Sequence, residues 1–436
     1  YDAIGNVTST IYAVGTVDES TVRYEYDMAG NVSAMIDAVN NRTEYEYDAK
    51  NRLLLTRNAL NDTLRYTYDA RSNPLSFTNE LGNTWRYTYD DLDRVVTMVD
   101  ALDQTQRYSH DGHGNVIRYT DELGRVTTFQ YDARNRRTSE NAPDGGIIRW
   151  VYDGNDNVVA MTDPLGRVSQ YFYDARDQEI AMIDADGNRM AYTYDSSGNR
   201  ISVTDPLGRV TRKTYDELDR VTRVDYIAAG IVGHTTTFQY DKAGNLVQST
   251  DPLGRITQSV HDNLDRTIST TRAFGTPDAS TTKFEYDPQS NLTARIDAND
   301  DRSEFEYDRL NRVSVNRDAL NKEMVYGYDA ASNLTSVTDR RGFVTRYEYD
   351  TINRTTKTID ALLNEWNTRY DAVGNVLKLI DPLGREDHFT YDPVDRLLTS
   401  TDSVGNVTTN TYDVAGNMLT TRDGRGNLTT YTYDEL

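Results

Sequence analysis

Aspartate is the side chain this sequence offers most often for chemistry. Asp and Glu total 69 against 47 Lys and Arg, a formal net charge of −22. Paired carboxylates serve general acid–base catalysis and bind divalent cations. These aspartates, however, fall on a fixed period. A Tyr-Asp dipeptide starts the chain at Tyr1 and recurs from Tyr26 and Tyr47 through to Tyr433, with His110-Asp111 and His261-Asp262 filling two slots. A catalytic group should be unique, so the repeated aspartates are read as turn-capping residues. No catalytic, cofactor-binding or metal-ligating residue is assigned, and the chain is not expected to be an enzyme.

Three local patterns compete with that reading. His110-Asp111-Gly112-His113 offers two imidazoles to a metal, but His110 takes a tyrosine slot and His113 falls in a turn. Asp184-Ala185-Asp186-Gly187-Asn188 resembles part of a calcium loop without its closing glutamate, and it is also a mid-repeat turn. Asn-x-Ser/Thr sequons, as at Asn6, Asn31, Asn41 and Asn291, arise from the repeat itself. Cysteine is absent, so thiolate chemistry and disulfides are excluded. No 18-residue apolar run spans a membrane. The acidic excess argues against a nucleic-acid partner, which would need clustered Lys and Arg.

The elements that position these residues follow from the repeat. There are 21 anchors; seventeen intervals are 21 residues long and three are 25. The repeats run through residues 1–436 as one continuous array. Each holds two turn signals: Asp-x-x-Gly after the anchor, as in Asp27 to Gly30, and a mid-repeat turn. The second is clearest in Asp-Pro-Leu-Gly-Arg starting at Asp163, Asp205, Asp251 and Asp381. Between the turns, Arg42-Thr43-Glu44-Tyr45-Glu46-Tyr47 alternates strictly. The pattern predicts an all-β antiparallel ribbon of hairpins, about two strands per repeat, with less than a tenth helix. Tyr45, Tyr47, Tyr66 and Tyr68 should lie on the better buried face; Glu44, Glu46, Arg65 and Thr67 should be wetter.

Two further features carry expectations. The long intervals follow Tyr1, Tyr215 and His261 and insert Gly-rich sequence mid-repeat. Four extra residues should add two to each strand and keep every side chain on its face. Five residues after each anchor, Asn31, Arg52, Asn73, Arg94, Asn115 and Arg136 alternate onward to Asn417, with Gln178 the exception. The preceding residue follows suit: Gly or Ser before Asn (once Asp156), Asn or Asp before Arg. Arg52, Arg94, Arg136, Arg220 and Arg266 are expected to fork between the anchor aspartates of their own and a neighbouring turn. Some 40 strands about 4.8 Å apart make a ribbon roughly 190 Å long. With 37% hydrophobic residues it lacks the apolar mass for a solid core, so a hollow wall is expected. Its tyrosine rows would serve as packing or as a ligand surface.

Tyr-x-Tyr-Asp-x-x-Gly-Asn with mid-repeat Asp-Pro-Leu-Gly-Arg resembles the RHS or YD repeat of bacterial polymorphic toxins, insecticidal toxin complexes, wall-associated proteins and the animal teneurins. The resemblance covers the whole chain. It implies a β-ribbon spiralling into part of a hollow shell, secreted or at a cell surface, with no cofactor. The implied partners are an enclosed toxin or cargo domain and the rest of the shell, with glycans as a further class. The family's C-terminal self-cleaving core is not visible, so the chain is expected to be a segment of a longer protein. A surface adhesion or carbohydrate-binding module is the alternative function.

Overall fold

A computed structural model describes residues 1–433. The described residues form forty β-strands and no helix. One repeat shows the rest. The strand Arg42–Tyr47 turns through Asp48–Arg52 into Leu53–Arg57, which turns through Asn58–Asp62 into Thr63–Tyr68. Each strand pairs antiparallel with its sequence neighbour, as in Tyr45↔Thr56 and Leu55↔Arg65.

Both turns close through one device. In the first, the Asp48 carboxylate accepts from the backbone N–H of Lys50 at 2.8 Å and of Arg52 at 3.0 Å. In the second, Asp163 accepts from Leu165 and Arg167, both at 2.9 Å. The turn's fourth residue has positive φ, 85° at Gly30 and 59° at Asn51, so Gly, Asn and Asp dominate there.

A feature that the sequence does not announce sits at the Tyr-Asp hairpins of Tyr26, Tyr47 and Tyr68 and at those from His110 to Tyr412. The pairing jumps from Glu46↔Leu55 to Tyr47↔Leu53, so Leu54 is an extra bulged residue. Such a bulge bends the strand and raises its twist. It also frees a carbonyl, which the next anchor fills: Tyr68 Oη donates to Leu53 O at 2.9 Å, and Tyr307 Oη to Leu292 O at 2.9 Å.

The face assignment stands for the strands tested. Tyr45, Tyr47, Tyr66 and Tyr68 are half-buried, and Glu46, Arg65 and Thr67 are exposed. Glu44 is half-buried because Arg42 at 3.0 Å and Arg57 at 3.6 Å lie over it. The deepest residues sit on the charged face nevertheless. Ala34 at 0% exposure pairs with Glu25 and Glu44, and Ala294 at 0% with Glu285 and Glu304. The long charged side chains lie across these small residues and keep only their heads in water.

The insertions follow the expectation in part. After Tyr215 the hairpin grows to Val221–Ala228 and Ile231–Tyr240 around a tight turn at Gly230. After His261 the strands are only Thr267–Arg272 and Ser280–Tyr286, and the loop takes up the remaining extra residues. Thr276 explains this, since its hydroxyl donates back to Ala273 O at 2.7 Å and holds a wide turn. The register Ser269↔Lys283 keeps the faces unchanged.

The chain forms two compact units, residues 1–87, 100–102 and 237–364 in one, 88–99, 103–236 and 365–436 in the other. Within each, Tyr-Asp turns of the later segment lie on mid-repeat turns of the earlier one. In the first unit Ala38 N donates to Gln289 Oε1 at 3.1 Å, Ser20 Oγ to Pro288 O at 2.8 Å and Thr351 Oγ1 to Ala101 O at 3.0 Å. In the second, Arg125 forks onto Asp395 at 2.8 and 3.1 Å, and Arg396 reaches Asp144 at 3.1 Å.

Candidate functional site

The aspartates that open the chemical question are occupied by the turns. Asp184 Oδ1 accepts from Asp186 N at 3.1 Å and Asn188 N at 2.8 Å, so the calcium-like loop is a mid-repeat turn. His113 sits in a turn, its N–H donating to Asp111 Oδ1 at 2.8 Å, whereas His110 ends the strand Thr105–His110. Among the described residues no group of three or more His, Asp or Glu is placed to hold a metal ion. His110 and His261 share one oddity: the Nδ1 of each is buried without a hydrogen-bond partner. They stand where tyrosine would present a hydroxyl to the preceding bulge.

The row of Tyr-Asp turns is a continuous polar ladder, and it corrects the expected role of arginine. Arg52 binds its own anchor carboxylate, Nε to Asp48 Oδ2 at 2.7 Å. Its other arm does not reach the neighbouring carboxylate. Arg52 Nη1 donates to the backbone carbonyl Asp69 O at 2.7 Å, and Arg94, Arg136, Arg312 and Arg396 do the same to Asp111, Asp153, Asp329 and Asp413. The neighbouring carboxylate is already taken by its own asparagine, as Asp69 Oδ2 is by Asn73 Nδ2 at 2.9 Å. The guanidinium lies instead on the next tyrosine ring, 4.8 Å from Tyr68 for Arg52 and 4.5 Å from Tyr152 for Arg136.

Asparagine turns pass the contact on differently. Asn31 Nδ2 donates to its own Asp27 at 2.9 Å and to Asn51 Oδ1 of the next turn at 3.0 Å. Asn199 reaches Asp219 at 2.6 Å and Asn245 reaches Asp265 at 2.7 Å in the same way. The covariation of the preceding residue now has a cause. Arginine turns carry Asn or Asp at the positive-φ position because that side chain accepts from the asparagine turn before it. In asparagine turns the incoming arginine takes the backbone carbonyl of the anchor aspartate, which Gly leaves open. Where a side chain stands at the positive-φ position it takes that too, as Arg312 does Ser332 Oγ at 3.0 Å and Arg136 does Asp156 Oδ1 at 2.7 Å.

These contacts set the local electrostatics. The Arg94 guanidinium beside Asp90, with backbone N–H groups, holds that carboxyl down to about 2. Asn31 bonded to Asp27 lowers that carboxyl too. On the other face, burial and nearby Glu122 push Tyr119 up to about 12. Tyr66, Phe77 and Trp85 form an aromatic ladder there, with centroids 5.4 and 5.6 Å apart. The carboxylates are locked as acceptors and the tyrosines are half-covered, an arrangement that builds a wall.

The comparisons agree with this geometry. Residues 1–184 match the Teneurin YD-shell model. Segments between 194 and 428, among them 194–232, 328–362 and 391–428, match the RHS Repeat model. No curated protein sequence matches the chain. Among solved structures, a chain of the Photorhabdus luminescens Tc holotoxin pore is similar with a TM-score of 0.73 at 15% identity, over 93% of this chain and 26% of that one. A chain in the crystal structure of TcdB2-TccC3 without its hypervariable C-terminal region gives 0.59 at 16% identity, over 94% and 27%. One in TcdB2-TccC3-TEV gives 0.57 at 13%, over 93% and 28%. This chain therefore spans about a quarter of the length of the structures it matches. The fold is shared along nearly the whole sequence, and the chain belongs to the RHS/YD-repeat family.

Proposed function

We propose that the chain is a non-catalytic wall segment of a secreted or surface RHS-repeat protein, one continuous repeat array within a longer polypeptide. It encloses or presents a toxin or other cargo domain encoded downstream. The observation that carries this reading is the absence, among the described residues, of any large side chain that is fully buried. Forty strands held by rim hydrogen bonds and half-buried tyrosines supply a wall rather than a solid core. The similarity to chains of TcdB2-TccC3 complexes supports a toxin as cargo.

The test is protection from protease. The chain is expressed together with the coding sequence that follows it, and trypsin is added at a concentration that digests the downstream domain alone. Survival of that domain supports enclosure; digestion at the free rate refutes it. The ladder Tyr66–Phe77–Trp85 favours a second reading, a carbohydrate-binding module, because aromatic rows stack on sugar rings. Glycan-array binding lost on Trp85→Ala would favour that reading over the first.

A further inference from the structure

The extra residues after Tyr215 build a step in the ribbon. The mid-repeat turn Asp205–Arg209 leads into the strand Val210–Tyr215, which pairs with Val221–Ala228 only as far as Val210↔Ile227. Ala228 to Ile231 carry the longer hairpin past that turn. One face of this hairpin is clamped. Asp225, 7% exposed, accepts from Arg223 Nε at 2.9 Å and from Thr235 Oγ1 at 2.6 Å, tying the two long strands together. On the other face the step leaves a cleft of about 540 Å³, within the roughly 300–1,000 Å³ of sites that hold small organic molecules. Alternation and register put Met190, Val203, Thr211 and Tyr226 on that face, one from each of four neighbouring strands. His234 of the returning strand lines the cleft as well. All of these residues fall within one compact unit, between 103 and 236.

The polar groups of this cleft are not used by the fold. Elsewhere in the ribbon tyrosine hydroxyls close carbonyls and guanidinium groups fork between turns. The side chains of Tyr226 and His234 make no hydrogen bond, ion pair or ring contact among the described residues, and Tyr226 is 49% exposed. Arg209 holds its own Asp205 through Nε, and its side chain, 64% exposed, hydrogen-bonds to no other described residue. Arg125 shows what such an arginine does with a second acid. It has the same place in its turn, ties Asp121 through Nε, and forks Nη1 and Nη2 onto the Asp395 carboxylate at 2.8 and 3.1 Å. Arg209 keeps the same tie and leaves the fork free, beside an apolar floor.

We propose that this cleft binds a small aryl carboxylate. Its ring lies on Met190, Val203 and Tyr226, and its carboxylate takes the outer nitrogens of Arg209. The fork matches two oxygens held in one plane, which a carboxylate offers. The floor of thioether, isopropyl and phenol surface suits a flat apolar ring. Asp205 also lines the cleft, but Arg209 already holds it, as Arg125 holds Asp121 while receiving Asp395. The acidic excess of the chain acts weakly here, since salt screens exposed charges beyond about 8–10 Å. The inference stands apart from the wall reading, because it does not depend on whether a cargo is enclosed.

The probe is 2-naphthoate, titrated into the full chain and followed by ligand-observed proton NMR, with 2-naphthalenemethanol as the uncharged analogue. Saturable binding of the acid is expected at about 1 mM or below, with the alcohol about fivefold weaker. Arg209→Gln should weaken the acid about tenfold and leave the alcohol unchanged. Tyr226→Ala should weaken both. Arg255→Gln is the control: it lies in the same Asp-Pro-Leu-Gly-Arg turn, but Arg272 stands where Tyr226 does, so naphthoate binding should not move. Both arginines are exposed, and circular dichroism checks the fold of each variant. Absence of saturable binding overturns the proposal. So does equal binding of acid and alcohol, or an Arg209→Gln chain that binds the acid as the parent does. An equal loss in Arg255→Gln also overturns it, since the attraction is then one of general charge.

Discussion

Replacing His110 and His261 by tyrosine should stabilise the ribbon, although both histidines are native. At other repeats the anchor hydroxyl closes the carbonyl opened by the preceding bulge, as Tyr131 does for Val116 at 3.0 Å and Tyr286 for Thr267 at 2.9 Å. By the same spacing His110 faces Val95 and His261 faces Leu246. Each imidazole instead buries an Nδ1 with no partner. Gaining one hydrogen bond contributes about 1 kcal/mol, and removing an unsatisfied buried nitrogen recovers about 1–3 kcal/mol. A net gain of about 2 kcal/mol per site is expected. Repeat arrays do not unfold as one cooperative unit, so a global midpoint would blur the effect. Amide hydrogen exchange resolved by strand is the suitable assay. Exchange in Val95–Val99 and Thr105–His110 should slow about thirtyfold in His110→Tyr, a tenfold factor being about 1.4 kcal/mol. Tyr307→Phe, which deletes the donor to Leu292 O, should quicken exchange in its own hairpin about fivefold for about 1 kcal/mol. If His110→Tyr leaves exchange unchanged or faster, or if Tyr307→Phe is silent, the hydroxyl-to-bulge contact is not what closes the repeats.

Other outcomes are as specific. Asp90 is held down to about 2 against a usual 3.8, so the folded chain binds that proton less readily than the unfolded one. Its contribution is therefore complete above about pH 4 and lost as pH falls toward 2; ellipticity that already collapses above pH 5 would contradict this. Arg266→Ala should cost about 2 kcal/mol, because Arg266 holds Asp262 at 2.6 Å and Asp287 O at 2.8 Å, and Arg266→Lys should recover little for want of a fork. Arg209→Ala, at the matching position of a mid-repeat turn where the side chain is 64% exposed, should change exchange little, and equal losses at both sites would refute the contrast. Asp177→Gly keeps a permissive residue at φ 60° but removes the acceptor for Asn155 and Asn157 at 2.9 and 2.8 Å; exchange should quicken a few-fold in the turn before it, not in its own.

Most of the ribbon was legible because it is local. Asp, Gly and Asn at fixed offsets specify turns within five residues, and period-two alternation specifies the faces. The bulge was not legible, since Leu54 extends an apolar run that a regular strand would also allow. The arginine partner was misassigned because charge counting favours a carboxylate, whereas Asp69 had been claimed by Asn73 four residues away. The covered edge depends on contacts between residues 245 to 270 apart, beyond any local pattern. A signal did exist: two residues after the anchor aspartate, Arg176 and Ser197 give way to Leu264, Leu310 and Ile352. Only knowledge of what lies opposite gives that shift its meaning.

The polar ladder along the Tyr-Asp turns has a direction. Arg52 and Asn31 reach toward the C-terminus for their second partner, while Tyr68 reaches back to Leu53. Each junction is thus sealed from both sides by residues within about one repeat of each other. A chain emerging N-terminus first from a ribosome or a secretion pore completes every seal as soon as the next hairpin appears. No earlier repeat has to reopen. The ladder can advance like a zip from one end, a pause in threading leaving at most one of its junctions unfinished, while edge contacts such as Arg125 with Asp395 close only when the later segment arrives.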